Sequence, residues 1–422
     1  MAKNHQKYVY IWGVMAFWLG TQAWAGQLPW QVGQCQQPSW QNALRCGEFS
    51  ANLSSLYYST HDAYFVENLN QDTAAIGGVI KYSVQPSEQL SAGISYALQR
   101  RLDDKNTTHA EVAELAPERD GLAEAYLRWQ PQDWQITLGQ QSLDLPFVGD
   151  YNWRIMPPLY RAIDIKWQQD TDFIRMSAVD RFKSYSQDQF NRGSRYSTEI
   201  ETDGMWSIGA GKTWKHPQHQ LKTELWYQRY LDYADLAYSE THLSWPKQPR
   251  QPDLGLQVMW GQQHGQAYAG KVQHIGVGGE LGLQVWEDFR LKLGYNYIHP
   301  EKNSYLNGAL FAPYMIYTAS GPYFAQPFFT STQDLGSGHA WRIAVEGPIN
   351  ERVYLGGQYS FMHLNEDPML KDLNQSEWVF YGFYDFGRWA KGLSLAHFVG
   401  FATSPRADDP FLQNRLALRY KF

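Results

Sequence analysis

Long apolar runs are missing from this 422-residue chain once its first 25 residues are passed. No later stretch approaches the ~18 consecutive apolar residues of a membrane-spanning helix. A basic surplus is missing too: 36 Lys and Arg stand against 42 Asp and Glu, which argues against a nucleic-acid partner. Cysteine is limited to Cys35 and Cys46, with no further ligands near enough in sequence to complete a metal site. His-x-x-x-His spacing is absent. His363 and His397 lie on or beside strand-like segments, yet no Gly-x-Ser-x-Gly or other nucleophile signature lies near either. The chain is therefore not read as an enzyme, and no cofactor is implied. Repeats, low-complexity stretches and linkers are also absent, so one domain is expected.

Aromatic residues are abundant, with 18 Trp, 28 Tyr and 20 Phe. The N-terminus has the parts of a secretory signal. Lys3 and Lys7 supply positive charge, Tyr8 to Leu19 an apolar core, and Thr21-Gln-Ala-Trp-Ala25 a small-residue site with cleavage after Ala25. Residues 1–25 are thus read as a signal peptide and 26–422 as the mature chain. Export places Cys35 and Cys46 in an oxidising compartment, where a short-loop disulfide is expected within a polar lead-in over 26–47, free thiols being the alternative.

From about Phe49 onward, apolar and polar residues alternate with the period of 2 that sorts strand side chains onto opposite faces. Leu416, Leu418, Tyr420 and Phe422 share one parity; Arg415, Ala417, Arg419 and Lys421 share the other. The same alternation runs through Leu90–Gln99, Ala123–Trp129, Trp134–Gly139, Leu221–Gln228, Leu254–Trp260, Phe289–Tyr297 and Val353–Phe361. Trp129, Trp134, Trp167, Trp260 and Tyr297 fall near strand ends, where interfacial girdles belong. Short links such as 130–133 and 286–288 alternate with long stretches at 99–120, 141–160, 181–198, 299–339, 362–377 and 402–412. These features predict an all-β, transmembrane antiparallel β-barrel with short periplasmic turns and long extracellular loops. At ~9–11 residues per strand, about 18 strands fit, within a range of about 16 to 20.

Parity turns Arg128, Arg175, Arg290, Lys292, Arg342, Arg415, Arg419 and Lys421 inward. An outward Arg at the bilayer midplane would cost about 2–4 kcal/mol, which favours the same choice. Stacked along a lumen, these cations could form a rail for carboxylates. They could equally pair with Glu124, Asp164 or Glu346 for packing alone.

One stretch carries a resemblance. Gly139-Gln-Gln141, then Asp144-Leu-Pro146, then a polar run into Arg154-Ile-Met-Pro157, resembles the OprD (Occ) family of substrate-specific outer-membrane channels. The Phe49-to-Tyr64 strand pair, Phe328-Phe-Thr-Ser-Thr332 and the terminal Phe422 fit the same family. The run Tyr151-Asn-Trp153 departs from the small polar residues usual there. The resemblance implies a monomeric 18-stranded barrel with a narrow eyelet, a basic lumen ladder, and uptake of small carboxylate solutes such as amino acids, small peptides or organic acids. It makes Arg154 a constriction residue, with Asp150 or Asp144 helping to set charge selectivity. Outer-membrane lipid and, through Phe422, the barrel-assembly machinery are the other expected partners. A non-selective trimeric porin and an exported soluble carbohydrate-binding β protein are the alternatives.

Overall fold

The computed structural model describes residues 39–102, 109–149, 154–286, 288–315, 322–327, 336–365 and 374–422. Its alternating segments pair in chain order into one 18-stranded sheet. The first nine strands are β1 Glu48–His61, β2 Gln71–Val84, β3 Leu90–Arg101, β4 Arg119–Trp129, β5 Trp134–Gln141, β6 Leu159–Gln169, β7 Asp172–Lys183, β8 Met205–Lys215 and β9 Gln220–Tyr230. The second nine are β10 Ala234–Ser244, β11 Asp253–Gln263, β12 Gln273–Gln284, β13 Arg290–Ile298, β14 Gly338–Pro348, β15 Val353–Leu364, β16 Gln375–Asp385, β17 Leu393–Thr403 and β18 Phe411–Lys421. Every neighbouring pair is antiparallel, and β1 pairs with both β2 and β18. Tyr58 lies opposite Arg415 and Ser54 opposite Arg419 at that seam. The sheet thus closes and leaves no edge strand to be satisfied in an apolar medium.

Residue parity decides what each face meets. On β18, Leu416, Leu418 and Tyr420 are 38–39% exposed on the outer wall, while Arg415 and Arg419 are 9% and 5% exposed inside. Outward Leu, Ile, Val and Trp residues continue this apolar surface around the barrel. The result is a transmembrane β-barrel. Two irregularities shift parity. Between β3 and β4 the register slips at Ile94/Tyr96, which leaves Ala123 fully buried inside while Leu122 and Leu127 face out. The strict alternation expected for Ala123 with Ala125 is broken there. The second slip, at Arg161/Ala162, lies between β6 and β7.

The strands also sort the connections. Residues 130–133, 170–171, 216–219 and 349–352 are tight turns at one end, the turn end. Connections 102–118, 142–158, 184–204 and 299–337 lie at the other, the loop end. One link at the loop end is short, at 231–233. The lead-in forms a single helical turn and a half, α1 Trp40–Arg45, whose Asn42 N–H donates to the Ser39 side chain at 3.2 Å. Tyr82 O–H donates to the Leu44 carbonyl at 2.7 Å, docking α1 on β2. Cys46 is disulfide-bonded; Cys35 lies outside the described residues.

Candidate functional site

The interior is built from strand residues of inward parity and from loops that fold back between the walls. Connection 142–158 buries Leu143, Leu145, Phe147, Ile155 and Met156. Tyr230 of β9 donates its hydroxyl to the Phe147 carbonyl at 2.8 Å, and Tyr160 of β6 donates to Gly149 and Tyr314 carbonyls at 3.0 and 3.1 Å. Connection 299–337 is held by side chains of the nearby strands β11, β13 and β15. Gln257 donates to the Pro322 carbonyl at 2.7 Å, the Ala325 N–H donates to Asn296 at 2.7 Å, and Gln358 donates to the Gln326 carbonyl at 3.2 Å. Tyr314 stacks on Phe182 with ring centroids 5.0 Å apart. Buried loop backbone needs such partners, because each unpaired group would cost about 1–3 kcal/mol. Tyr314, Tyr323 and Phe324 pack against the wall, and Tyr305 and Phe311 against Tyr196 of connection 184–204; Tyr317, Phe328 and Phe329 lie outside the described residues.

Arg154 sits where connections 102–118 and 142–158 meet near β18. It is 5% exposed. Its Nε lies 3.0 Å from Glu114 Oε2, and its guanidinium stacks 3.6 Å from the Tyr185 ring centre. Burial alone would raise the Glu114 carboxyl, but Arg154 and then Arg415 outweigh it and hold the group below its ordinary value. Tyr64, from the β1–β2 connection, is within electrostatic reach of Glu114, Arg415 and Arg154. One locus therefore gathers Arg154, Arg415, Glu114, Tyr64 and Tyr185 from separate connections and β18. Asp150 lies outside the described residues. Asp144 lies within electrostatic reach of Arg175 and Glu224 instead; burial pushes its carboxyl up to about 7 against the pull of Arg175.

The other inward cations meet carboxylates, hydroxyls, carbonyls and aromatic rings. Several are matched by carboxylates. Arg175 grips Asp164 with Nε and Nη2 at 2.9 and 3.2 Å, and its Nη1 donates to the Asp144 carbonyl at 2.9 Å. Lys292 meets Glu346, Arg342 meets Glu280 and Lys81 meets Glu124, each at 2.8 Å. Arg128 donates to Thr137 at 3.2 Å and lies 4.9 Å from the Tyr126 ring centre; Arg290 reaches the Gln251 carbonyl at 3.4 Å. Arg415 and Arg419 stand on β18, where Arg415 also acts with Arg154 on Glu114. Their cross-strand neighbours are Tyr58 and Phe398 for Arg415, and Ser54 and Ser394 for Arg419. Arg415 donates to Gln413 at 3.2 Å and stacks 4.9 Å from the Tyr58 ring centre.

Across the barrel, on β9 to β11, seven to nine strands from β18, carboxylates cluster. His242 has Asp253 at 2.9 Å on Nδ1 and Glu240 at 3.1 Å on Nε2. Glu224 lies opposite Glu240 in the β9–β10 pair. Glu240 is the seventh residue of β10 and Arg415 the fifth of β18, so both stand near mid-strand. The β18 side thus gathers Arg154, Arg415 and Arg419 around Glu114, while on the far side Glu224, Glu240 and Asp253 surround His242 and Lys222. Parity could have found Glu240. Glu114 lies in an irregular connection and had no such signal.

A closed antiparallel barrel with charged walls and inward-folded loops defines the class of transmembrane porin-type barrels. Within that class the chain has the fold of the OprD/Occ porins. Pseudomonas aeruginosa OccK9 (OpdG) matches with a TM-score of 0.77 at 14% identity, covering 90% of this chain and 99% of that one. A BenF-like porin from Pseudomonas fluorescens Pf-5 matches with 0.75 at 13%, covering 89% and 98%. P. aeruginosa OccK2 (OpdF), solved in complex with glucuronate, matches with 0.72 at 12%, covering 89% and 96%. No protein-family model and no curated protein sequence matches the chain.

Proposed function

We propose that the protein is a monomeric outer-membrane channel through which small carboxylate-bearing solutes diffuse. Residues 1–25 are removed on export, and the loop end faces the outside. The observation that carries the reading is the Arg415–Arg419 pair on the inner face of β18, with acidic Glu240 and Asp253 across the lumen. A solute carboxylate is drawn to the first wall. The opposed acidic wall favours an ammonium on the same molecule, so zwitterions suit the lumen better than dianions. The solute glucuronate of OccK2 is itself a carboxylate, which is consistent with this chemistry. Binding must be strong enough to admit the solute and weak enough to release it. The arginines stand at the wall, and at ~15 Å with an effective dielectric of ~20 each contributes about 1 kcal/mol to a passing carboxylate.

Planar-bilayer recording tests this. Arg415→Ala with Arg419→Ala is expected to lower the anion-to-cation permeability ratio severalfold and to weaken block by amino acids and organic acids. An unchanged reversal potential in a salt gradient would overturn the basic-wall mechanism. A heat-resistant trimer on a gel would favour a general porin instead.

A further inference from the structure

The register slip between β6 and β7 has a chemical consequence on the outer wall. Arg161 pairs directly with Arg181, and Ala162 with Val179, so Asp180 is the extra residue of a bulge. The inward neighbours Tyr160, Val179 and Phe182 are buried. Asp180 and Arg181 therefore both emerge outward beside Arg161, three residues or fewer from the loop end of their strands. Two guanidiniums facing each other across strands repel. Asp180 relieves Arg161, whose Nε donates to it at 2.8 Å and whose Nη2 makes a second, shorter contact. Arg181 gains only a 3.9 Å approach to the same carboxylate, and its Nε makes no hydrogen bond among the described residues. Arg192, from the next connection, lies within Coulombic reach of Asp180 and 3.5 Å from the highly exposed Asp203. Immediately below, Ile163, Met176 and Trp206 face outward and exposed. A half-exposed cationic cluster thus sits directly above an apolar band, at the level where Trp marks an interface.

We propose that this rim binds a phosphate group of the phosphorylated, multiply acylated glycolipid of the outer leaflet. Arg181 and Arg192 hold the phosphate, which planar guanidiniums grip with paired hydrogen bonds. The acyl chains lie along Ile163 and Met176. The inference rests on the outer-membrane reading above and on its assignment of the loop end to the outside.

Native mass spectrometry of the full-length mature barrel in detergent tests it with three probes: bis-phosphorylated lipid A, the dephosphorylated lipid, and inorganic phosphate. The expected result is retention of the phosphorylated lipid, at least tenfold tighter than the dephosphorylated lipid or free phosphate. Arg181→Gln with Arg192→Gln is expected to lose at least tenfold of that affinity, while its single-channel conductance stays at the wild-type value and so reports an intact barrel. Equal retention of the dephosphorylated lipid, equally tight binding of free phosphate alone, or an unaltered double variant would each overturn the proposal. A barrel that conducts and fractionates with the outer membrane yet gives one of those results sinks this inference only. A chain found in the aqueous fraction sinks the membrane reading itself.

Discussion

The Arg154–Glu114 contact concentrates the energetics of the interior in two residues. With side chains 4% and 17% exposed, neither charge can turn to bulk water if its partner is lost. Removing one member of such a pair costs about 3 kcal/mol or more. Glu114→Gln is therefore expected to unpin the 142–158 connection and give a noisier channel with added current substates. The pH dependence follows from the direction of the shift. The unfolded carboxyl titrates near 4.5 and the folded one lower, so the stabilisation is complete above about 4.5 and lost as pH falls through the depressed folded value. Wild-type recordings below that window should acquire the noise of Glu114→Gln at neutral pH. Quiet wild-type current under acid would show that the pair does not brace the loop. This contact was only half legible in the sequence. Arg154 stands out through its motif, whereas Glu114 sits 40 residues earlier in an irregular stretch, and nothing in local spacing brings them together.

At the scale of the element, alternation translated into strands wherever the ladder was regular. Leu254–Trp260 and Phe289–Tyr297 turned the faces their parity required. The register failed to transfer at bulges, since one extra residue reverses every side chain beyond it. Ala123 went inside for that reason, and Asp180 and Arg181 share one face for the same reason. The turns supply a sharper test. Gly392, in the turn between β16 and β17, has φ +85°, and a Cβ there would stand 2.0 Å from the Lys421 carbonyl oxygen. Its own carbonyl accepts from Lys421 N–H at 2.9 Å, which ties the turn to the end of β18. Gly392→Ala should destabilise the barrel by ~1–3 kcal/mol, the range for a residue forced into such backbone space. Gly279→Ala, whose Cβ meets nothing closer than 3.9 Å, is the matched control. Denaturant midpoints in detergent separate the two; equal midpoints would mean the turn can rearrange without cost.

At the scale of the whole molecule, the lumen works as a field across the solute path, and its reach depends on salt. The chain is acidic overall, with 36 basic residues against 42 acidic ones. Net charge alone would then predict cation preference. Local placement predicts the opposite near β18, where Arg154, Arg415 and Arg419 stand on the inner side with Glu114 among them. The two accounts separate through screening. The Debye length is about 10 Å at 0.1 M salt and about 3 Å at 1 M. If wall charges select across open water, anion preference should be marked at 0.1 M and fall towards none at 1 M. If the solute instead touches the arginines in a narrow passage, the preference should survive 1 M salt. Reversal potentials at fixed salt ratio across that range decide between them, and cation preference at both concentrations would show that the acidic wall at Glu240 and Asp253, not β18, governs passage.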